Sequence, residues 1–204
     1  NTGNSYKPLE GKLYETGVKY APSFLDGYIN LALFDLEQTN SLVSTGSGQQ
    51  TQAGEVTSQG VELEGSVQAT EALRLTAAYT YTDAKTNDTG NGDRQASLIP
   101  RHQASFWGNY KVQQGPVSGL EVGTGVRYIG SSVGIGAVNA DYTPIYGSAQ
   151  VPAQTVWDAM IGYDFAKNWR AQLNVNNLLG DTYVASCDYY CYYGEPRSVV
   201  GSIN

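Results

Sequence analysis

Hydrophobic and polar side chains alternate along nine stretches of the chain, each roughly ten residues long. A period of two places successive side chains on opposite faces, so each stretch predicts a β-strand with one apolar and one polar face. The predicted strands are residues 9–21, 25–37, 56–69, 72–83, 100–112, 119–129, 154–165, 169–179 and 196–203.

The connections between these strands alternate between short turns and long polar loops. The short joints are PSFLDG, TEA, QQGPVS and AKN, and the long ones cover residues 38–55, 84–99, 130–153 and 180–195. Outer-membrane barrels sort their connections in this way, with tight turns on the periplasmic side and long loops outside. The pattern therefore predicts an all-β protein, an antiparallel up-and-down transmembrane β-barrel wall.

The two faces of the predicted strands differ as a bilayer-spanning wall requires, since one suits hydrocarbon and the other suits water or a polar plug. The apolar face of the third and fourth strands carries Val61, Leu63, Val67, Leu73, Leu75 and Tyr79. The second strand is apolar on both faces, so its lipid side stays open. The inward face carries the charged residues Glu62, Glu64, Arg74, Glu121, Arg127 and Arg170. We expect these charges to form a hydrated ladder against a plug or, alternatively, to line an export path.

Aromatic residues mark both ends of the predicted strands, as in the two girdles of a membrane barrel. Those beside short turns are Tyr20, Tyr110, Tyr163, Phe165 and Trp169. Those beside long loops are Tyr79, Tyr81, Tyr128 and Tyr183. Aromatics favour strands in any fold, so a scatter unrelated to a membrane is the alternative.

The amino-acid composition further narrows the class of protein. Only 15% of the residues are charged, while Gly reaches 24 and Tyr 16, which suits many strands and turns. The net charge of −7 gives no basic surface, so no nucleic-acid partner is predicted. No apolar run is long enough for a spanning helix, and the residues at the N-terminal end predict no signal peptide. Its mean hydropathy of −0.34 is compatible with a barrel, because every second strand residue faces a polar lumen.

Six stretches, in this order, resemble TonB-dependent outer-membrane receptors of the ferric-siderophore class. They are YETGVKYAP with INLALFDLEQTN, SQGVELEGSVQATEALRLTAAYTYTDA, IPRHQASFWGNYKV, LEVGTGVRYIGSS, VWDAMIGYDFAKNWRAQLNVNNLLGDTYV and YGEPRSVVGSI. The resemblance implies a 22-stranded barrel around an N-terminal plug. Residues 1–204 would then be the C-terminal portion of that barrel, about nine strands, without the plug and the N-terminal strands.

The resemblance also implies the activity. Such a receptor lies in outer-membrane lipid, where it binds an iron(III)-siderophore and imports it with energy from the TonB/ExbB/ExbD complex. It has no enzymatic activity, catalytic residues, metal site or covalently bound cofactor. Alternative ligands are cobalamin, haem or an oligosaccharide, and the alternative fold is a soluble β-sandwich adhesin or lectin. Family chains usually end on an aromatic residue, whereas this one ends at Asn204, and we expect nine strands alone neither to insert stably nor to transport.

The last long loop holds both cysteines of the chain. Cys187 and Cys191 lie four residues apart, which fits a disulfide formed in an oxidising compartment. A metal site is the poorer alternative, because a tetrahedral shell needs further ligands and none lies nearby. The sequence therefore predicts a small disulfide-closed ring.

Tyrosines surround these cysteines. Aromatic walls with phenolic hydroxyls suit compact, partly apolar ferric siderophores, and the resemblance points to this loop as one wall of the pocket. The candidate ligand-binding residues are Tyr189, Tyr190 and Tyr192, with Tyr142 and Tyr146 in the preceding long loop; Tyr193 belongs to the same cluster. The alternative is that these tyrosines pack the loops or extend the girdle.

Two further motifs suggest chemistry that their surroundings do not support. His102 is the only histidine, and the nearest serine, Ser105, lies three positions along the same strand and therefore on the opposite face. This spacing offers no hydrolase pair and predicts an interface histidine. The stretch GVRYIGSSVGIGAVN lacks the Lys-Ser/Thr of a phosphate loop, so its glycines predict a flexible outer loop.

Overall fold

The computed structural model describes residues 5–46, 49–88, 92–138, 140, 144–188 and 190–204. Within these ranges no helix is long and apolar enough to cross a membrane. The strands are β1 (Glu10–Tyr20), β2 (Gly27–Gly46), β3 (Gln49–Gln68), β4 (Leu73–Asp88), β5 (Gly92–Gln95), β6 (His102–Lys111), β7 (Leu120–Ile129), β8 (Ser132–Val138), β9 (Pro144–Val151), β10 (Gln154–Ala166), β11 (Trp169–Asn176), β12 (Val184–Asp188), β13 (Tyr190–Tyr193) and β14 (Ser198–Ile203).

Nine of these strands form one antiparallel sheet in the order β1-β2-β3-β4-β6-β7-β10-β11-β14. They are the nine strands that the alternation predicts, and β5 adds a short extension beside β4. Apart from strands inserted at the long connections, each strand pairs with the next one along the chain. The predicted all-β, antiparallel, up-and-down wall is confirmed. We call the edge with the short connections the turn end and the opposite edge the loop end.

The register brings the apolar faces of neighbouring strands to the same side of the sheet. Leu63 lies opposite Leu31 on one side and Tyr79 on the other. Further along the sheet, Ile161 lies opposite Leu173. We call this side the outer face and the opposite side the lumen face. The register also assigns the lipid side of β2, which the pattern left open, to Ile29, Leu31 and Leu33.

The outer face is bare. Leu63, Ile161 and Leu173 are 43%, 46% and 41% exposed. Among the described residues only five apolar side chains are buried, all near the loop end: Ala84, Ala96, Val151, Val156 and Cys187. A soluble β-sandwich would instead enclose the apolar stripe in a dry core, so the sandwich alternative is wrong.

Aromatic side chains on the outer face lie near both ends of the strands, in agreement with the predicted girdles. Near the turn end, Tyr20, Tyr110 and Tyr163 are exposed, and the rings of Phe165 and Trp169 lie 6.4 Å apart. Near the loop end the exposed aromatics include Tyr14, Tyr79, Tyr128 and Trp157. The sequence pattern did not single out Trp157, which lies opposite Val126 on the same face.

The interpretation of the long connections as loops is wrong, because all four contain strand. β2 and β3 continue beyond the predicted boundaries, and β5 pairs with the extension of β4. The last two connections form a second sheet in the order β13-β12-β8-β9. The glycine-rich stretch predicted to be flexible contains β8. Glycine suits this position because a Cβ at Gly134 would collide with the carbonyl oxygen of Cys187.

Candidate ligand-binding site at the loop end

The second sheet joins the two long connections that carry the candidate tyrosines. β8 and β9 form one hairpin and β12 and β13 another, and parallel pairing of β12 with β8 places Asp188 opposite Ile135. We call β12 and β13 together the tyrosine hairpin. Two segments about fifty residues apart in the chain thus belong to one surface at the loop end, an arrangement that alternation within single strands does not reveal.

The candidate tyrosines fall into three groups. Tyr190, Tyr192 and Tyr193 lie on β13, an edge strand of the second sheet, and are 75%, 56% and 73% exposed. Tyr146 lies in β9, the strand at the opposite edge of that sheet. Tyr142 and Tyr189 lie outside the described residues. The described rings on β13 are therefore open to a ligand, and a role in binding stays a prediction.

The tyrosine hairpin is closed by the predicted disulfide. Cys187 and Cys191 lie directly opposite each other on β12 and β13, with their Cα atoms 4.0 Å apart and their sulfurs bonded. Cys187 is buried against β8, whereas Cys191 is exposed. In the described part of the chain, no three His, Cys, Asp or Glu side chains group as metal ligands. The disulfide gives a short hairpin a fixed width beneath its exposed rings.

We call residues 178–195, which lie between β11 and β14, the excursion. Its base is held by Asn177, a residue that the sequence pattern did not indicate. Its side-chain amide donates hydrogen bonds to the carbonyl oxygens of Asp181 (2.8 Å) and Glu195 (3.2 Å), and its Oδ1 accepts one from the Asp181 N–H (2.8 Å). The residue is 2% exposed, with a φ of 51°, a left-handed conformation that Asn tolerates. Asn177 therefore joins the outgoing and returning ends of residues 178–195.

Asn177 is in turn tied to the lumen face of the wall. Its backbone N–H donates to Oδ1 of Asp158 on β10 (2.9 Å). Arg127 on β7 donates to both carboxylate oxygens of the same aspartate, from Nε at 2.6 Å and from Nη2 at 3.0 Å. Such bidentate ion pairs are strong and directional. A chain of contacts thus runs from β7 through β10 to the base of the tyrosine hairpin.

A second charged cluster lies on the lumen face near the turn end. Lys111 and Arg170 both contact Asp164, at 2.8 Å and 3.1 Å, and Arg170 also reaches Glu121 at 2.7 Å. A Cβ at Gly162 would lie 2.5 Å from the Arg170 guanidinium, so this glycine leaves room for the arginine to cross β10. The predicted inward placement of Glu121, Arg127 and Arg170 is confirmed. The register also places the remaining predicted inward charges on this face: Glu62, Glu64 and Arg74.

The geometry around His102 agrees with the interface interpretation. His102 lies opposite Tyr81 on the outer face, and its Nδ1 is 2.9 Å from the hydroxyl oxygen of Tyr79. Ser105 lies opposite Arg127 on the lumen face, so the sheet separates it from the imidazole. The two residues therefore cannot act as a nucleophile and its base in this arrangement.

The family of the chain follows from comparison with known proteins. A family model described as "TonB dependent receptor-like, beta-barrel" matches residues 1–178. The chain belongs to this family. It is 38% identical over 98% of its length to the ferrichrome outer membrane transporter/phage receptor of Escherichia coli K12 and 37% identical over 99% to the ferrioxamine B receptor of Salmonella typhimurium SL1344. It covers 27% and 29% of these relatives, less than a third of their length.

Solved receptor structures share the fold. The ferric-catecholate import receptor Fiu of Escherichia coli K12, in its closed form, matches all of this chain with a TM-score of 0.77 and 28% identity, over 29% of its own chain. The ferripyoverdine receptor of Pseudomonas aeruginosa matches 98% with a TM-score of 0.80 and 23% identity, over 27% of its chain. These relatives are named as transporters and receptors. The TonB-dependent receptor chain described here is part of a barrel wall of the bacterial outer membrane.

Proposed function

We propose that this chain is the C-terminal part of the barrel of an outer-membrane receptor for a ferric siderophore, with the plug and preceding strands supplied by the rest of the protein. The observation that carries the proposal is the tyrosine hairpin. It presents Tyr190 and Tyr192 at the loop end on a disulfide-closed support anchored to the lumen face. The relatives named for ferrichrome and ferrioxamine B support this ligand class.

The proposed uptake involves binding and movement, without bond chemistry. Phenolic rings offer both apolar surface and hydrogen-bonding hydroxyls to a compact iron(III) chelate. Capture by these rings precedes closure of the loop end over the ligand and rearrangement of the plug. Energy reaches the plug from the TonB/ExbB/ExbD complex through the N-terminal region. The lumen-face charges Glu62, Glu64 and Arg74 then contact the plug or the departing ligand.

The test uses the full-length receptor in a strain lacking other siderophore receptors. Growth on ferrichrome or ferrioxamine B as the only iron source is the expected result, with binding of the same chelates to the purified receptor. Growth only on cobalamin, haem or an oligosaccharide would replace the proposed ligand class while retaining the receptor architecture.

The role of the tyrosines is tested by Tyr192→Ala, with Tyr20→Ala as a matched control. Both side chains are 56% exposed, but Tyr20 lies at the turn end of the outer face. Loss of a ring that contacts ligand weakens binding by about 1 kcal/mol or more, roughly fivefold. We expect this loss for Tyr192→Ala alone. Equal affinity of both variants would remove β13 from the site.

A further inference from the structure

Asp158 lies where the wall meets the tyrosine hairpin. It is on the lumen face of β10, opposite Gly125 of β7. Its side chain is 12% exposed, so it is largely shielded from water. A shielded carboxylate requires partners for its oxygens, and Asp158 has three donors: two N–H groups of Arg127 and the backbone N–H of Asn177.

One of these partners belongs to a strand of the main sheet, whereas the other lies just outside it. Arg127 belongs to the strand next to Asp158 and moves with it as part of the paired wall. Asn177 follows the last residue of β11 and begins the excursion that contains the tyrosine hairpin. A second contact strengthens the junction, because the N–H of Leu178 donates to the carbonyl oxygen of Trp157 at 2.6 Å. The excursion is thus fastened to β10 at two successive residues.

Asn177 extends the attachment to the other end of the excursion. Its amide contacts both Asp181 and Glu195, so the two ends are joined around one side chain. The hydroxyl of Ser198, on β14, donates to Oε1 of Glu195 at 3.0 Å. Among the attachments of residues 178–195 to the wall, the Asp158 carboxylate is the side chain that accepts from β7 and from Asn177 at the same time.

We propose that Asp158 is a positioning residue that sets the place of the tyrosine hairpin over the lumen, acting through Asn177. Arg127 orients the carboxylate, the carboxylate orients Asn177, and Asn177 fixes both ends of residues 178–195. Asp158 does not touch the ligand. This inference rests on the proposed function only where it concerns ligand affinity, since the positioning itself is a property of the fold.

The test is hydrogen exchange by mass spectrometry on the full-length receptor carrying Asp158→Asn. Asparagine has the same shape, but it lacks the charge opposing Arg127 and has only one side-chain oxygen to accept hydrogen bonds. We expect amide exchange in residues 178–195 to rise about tenfold or more, while β7 and β10 stay protected. Unchanged exchange in 178–195, or an equal rise in β7 and β10, would overturn the proposal.

Asp83→Asn is the matched control. Asp83 is 15% exposed in its side chain and bridges two cations, Lys85 and Arg101, toward the loop end of β4. It lies on the outer face and has no contact with residues 178–195 in the described structure. Exchange in that segment should match the wild type. A rise similar to that of Asp158→Asn would also overturn the proposal.

A second variant covers the possibility that Asp158→Asn fails to fold. Asn177→Gly keeps the backbone N–H that Asp158 accepts and suits the positive φ, but it removes the amide. The same rise in exchange at 178–195 is expected, with the Arg127–Asp158 pair intact. Protection of residues 178–195 equal to that of the wild type would show that the contacts through Asn177 do not position the tyrosine hairpin.

Uptake kinetics separate positioning from a general structural role. With ferrichrome as the probe, Asp158→Asn should raise the half-saturating concentration about tenfold and leave the maximal rate per folded receptor unchanged. A reduced maximal rate with unchanged half-saturation would contradict positioning. If the wild type takes up neither ferrichrome nor ferrioxamine B, the proposed ligand class fails, and the exchange experiment still decides the role of Asp158.

Discussion

Because the outer face is assigned to lipid, a charged residue introduced there should destabilise the barrel. The loss of stability should be larger the closer that residue lies to the middle of the bilayer. An arginine on the lipid face costs about 2–4 kcal/mol at the bilayer midplane and about 0–1 kcal/mol near the interface. A strand tilted by about 40° rises roughly 2.5 Å per residue along the membrane normal. Leu63 lies five positions before Gln68, the last residue of β3, and is therefore about 13 Å from the turn end, close to the middle of a band about 25 Å tall.

We therefore expect Leu63→Arg to lower the free energy of unfolding by about 2–4 kcal/mol. Val67→Arg, one position from the end of the same strand and on the same face, should lower it by about 0–1 kcal/mol. Thr80→Arg is the lumen-face control, because Thr80 lies opposite Glu62 at nearly the depth of Leu63. It should have an effect below about 1 kcal/mol, since no hydrocarbon is displaced.

The assay is equilibrium unfolding of the full-length receptor in phospholipid vesicles with a denaturant series. Heat-modifiable gel mobility reports the folded fraction, and the midpoint with an unchanged slope reports stability. The reasoning fails if Leu63→Arg costs no more than Val67→Arg or Thr80→Arg. That result would mean that the bare stripe is not immersed in hydrocarbon, whatever the register of the strands.

Three further predictions concern single features of the structure. Replacing Cys187 and Cys191 by serine should lower the local stability of the tyrosine hairpin by about 2 kcal/mol, seen as faster amide exchange, and reduction of the native protein should add the mass of two hydrogens. Gly125→Ala should destabilise the wall by about 1–3 kcal/mol in the same unfolding assay, because the added Cβ meets an indole ring and a carbonyl oxygen 2.8 Å away. Gly108→Ala is its control, with its nearest neighbour at 3.5 Å and an expected change below about 1 kcal/mol. His102→Ala should leave uptake of ferrichrome unchanged, and loss of uptake would contradict the interface interpretation.

The wall could be predicted from the sequence because its two environments impose a period of two. In β3 and β4 the alternation within each strand alone predicts one apolar face, and the register places Leu63 opposite Tyr79 on that face, as the prediction requires. β2 was ambiguous because Phe34 and Leu36 make its lumen face apolar as well. Only pairing with β3 resolves such a strand, since the partner fixes which alternate set faces lipid.

The site was less predictable because its contacts are tertiary. Asp158 and Asn177 are nineteen residues apart, and nothing local distinguishes this aspartate from Asp164 on the same face of β10. The second sheet escaped prediction for a related reason. In β8 the apolar residues Val133 and Ile135 alternate with glycine, which disfavours strand, so its conformation becomes evident only through pairing with β9 and β12. A clue lay in NVNNLLGD, where alternation stops at a run of turn-forming residues.

The two charged clusters of the lumen face differ in what their loss can change. The turn-end cluster joins Lys111, Glu121, Asp164 and Arg170, which belong to the four neighbouring strands β6, β7, β10 and β11. Backbone ladders already hold these strands together, so the side chains reinforce an existing arrangement. Asp158 connects the wall to a segment that the main ladder does not hold. Neutralising a carboxylate at the turn end should therefore affect stability within the wall, whereas neutralising Asp158 should affect the position of the tyrosines, and with it ligand affinity, ahead of the stability of the wall.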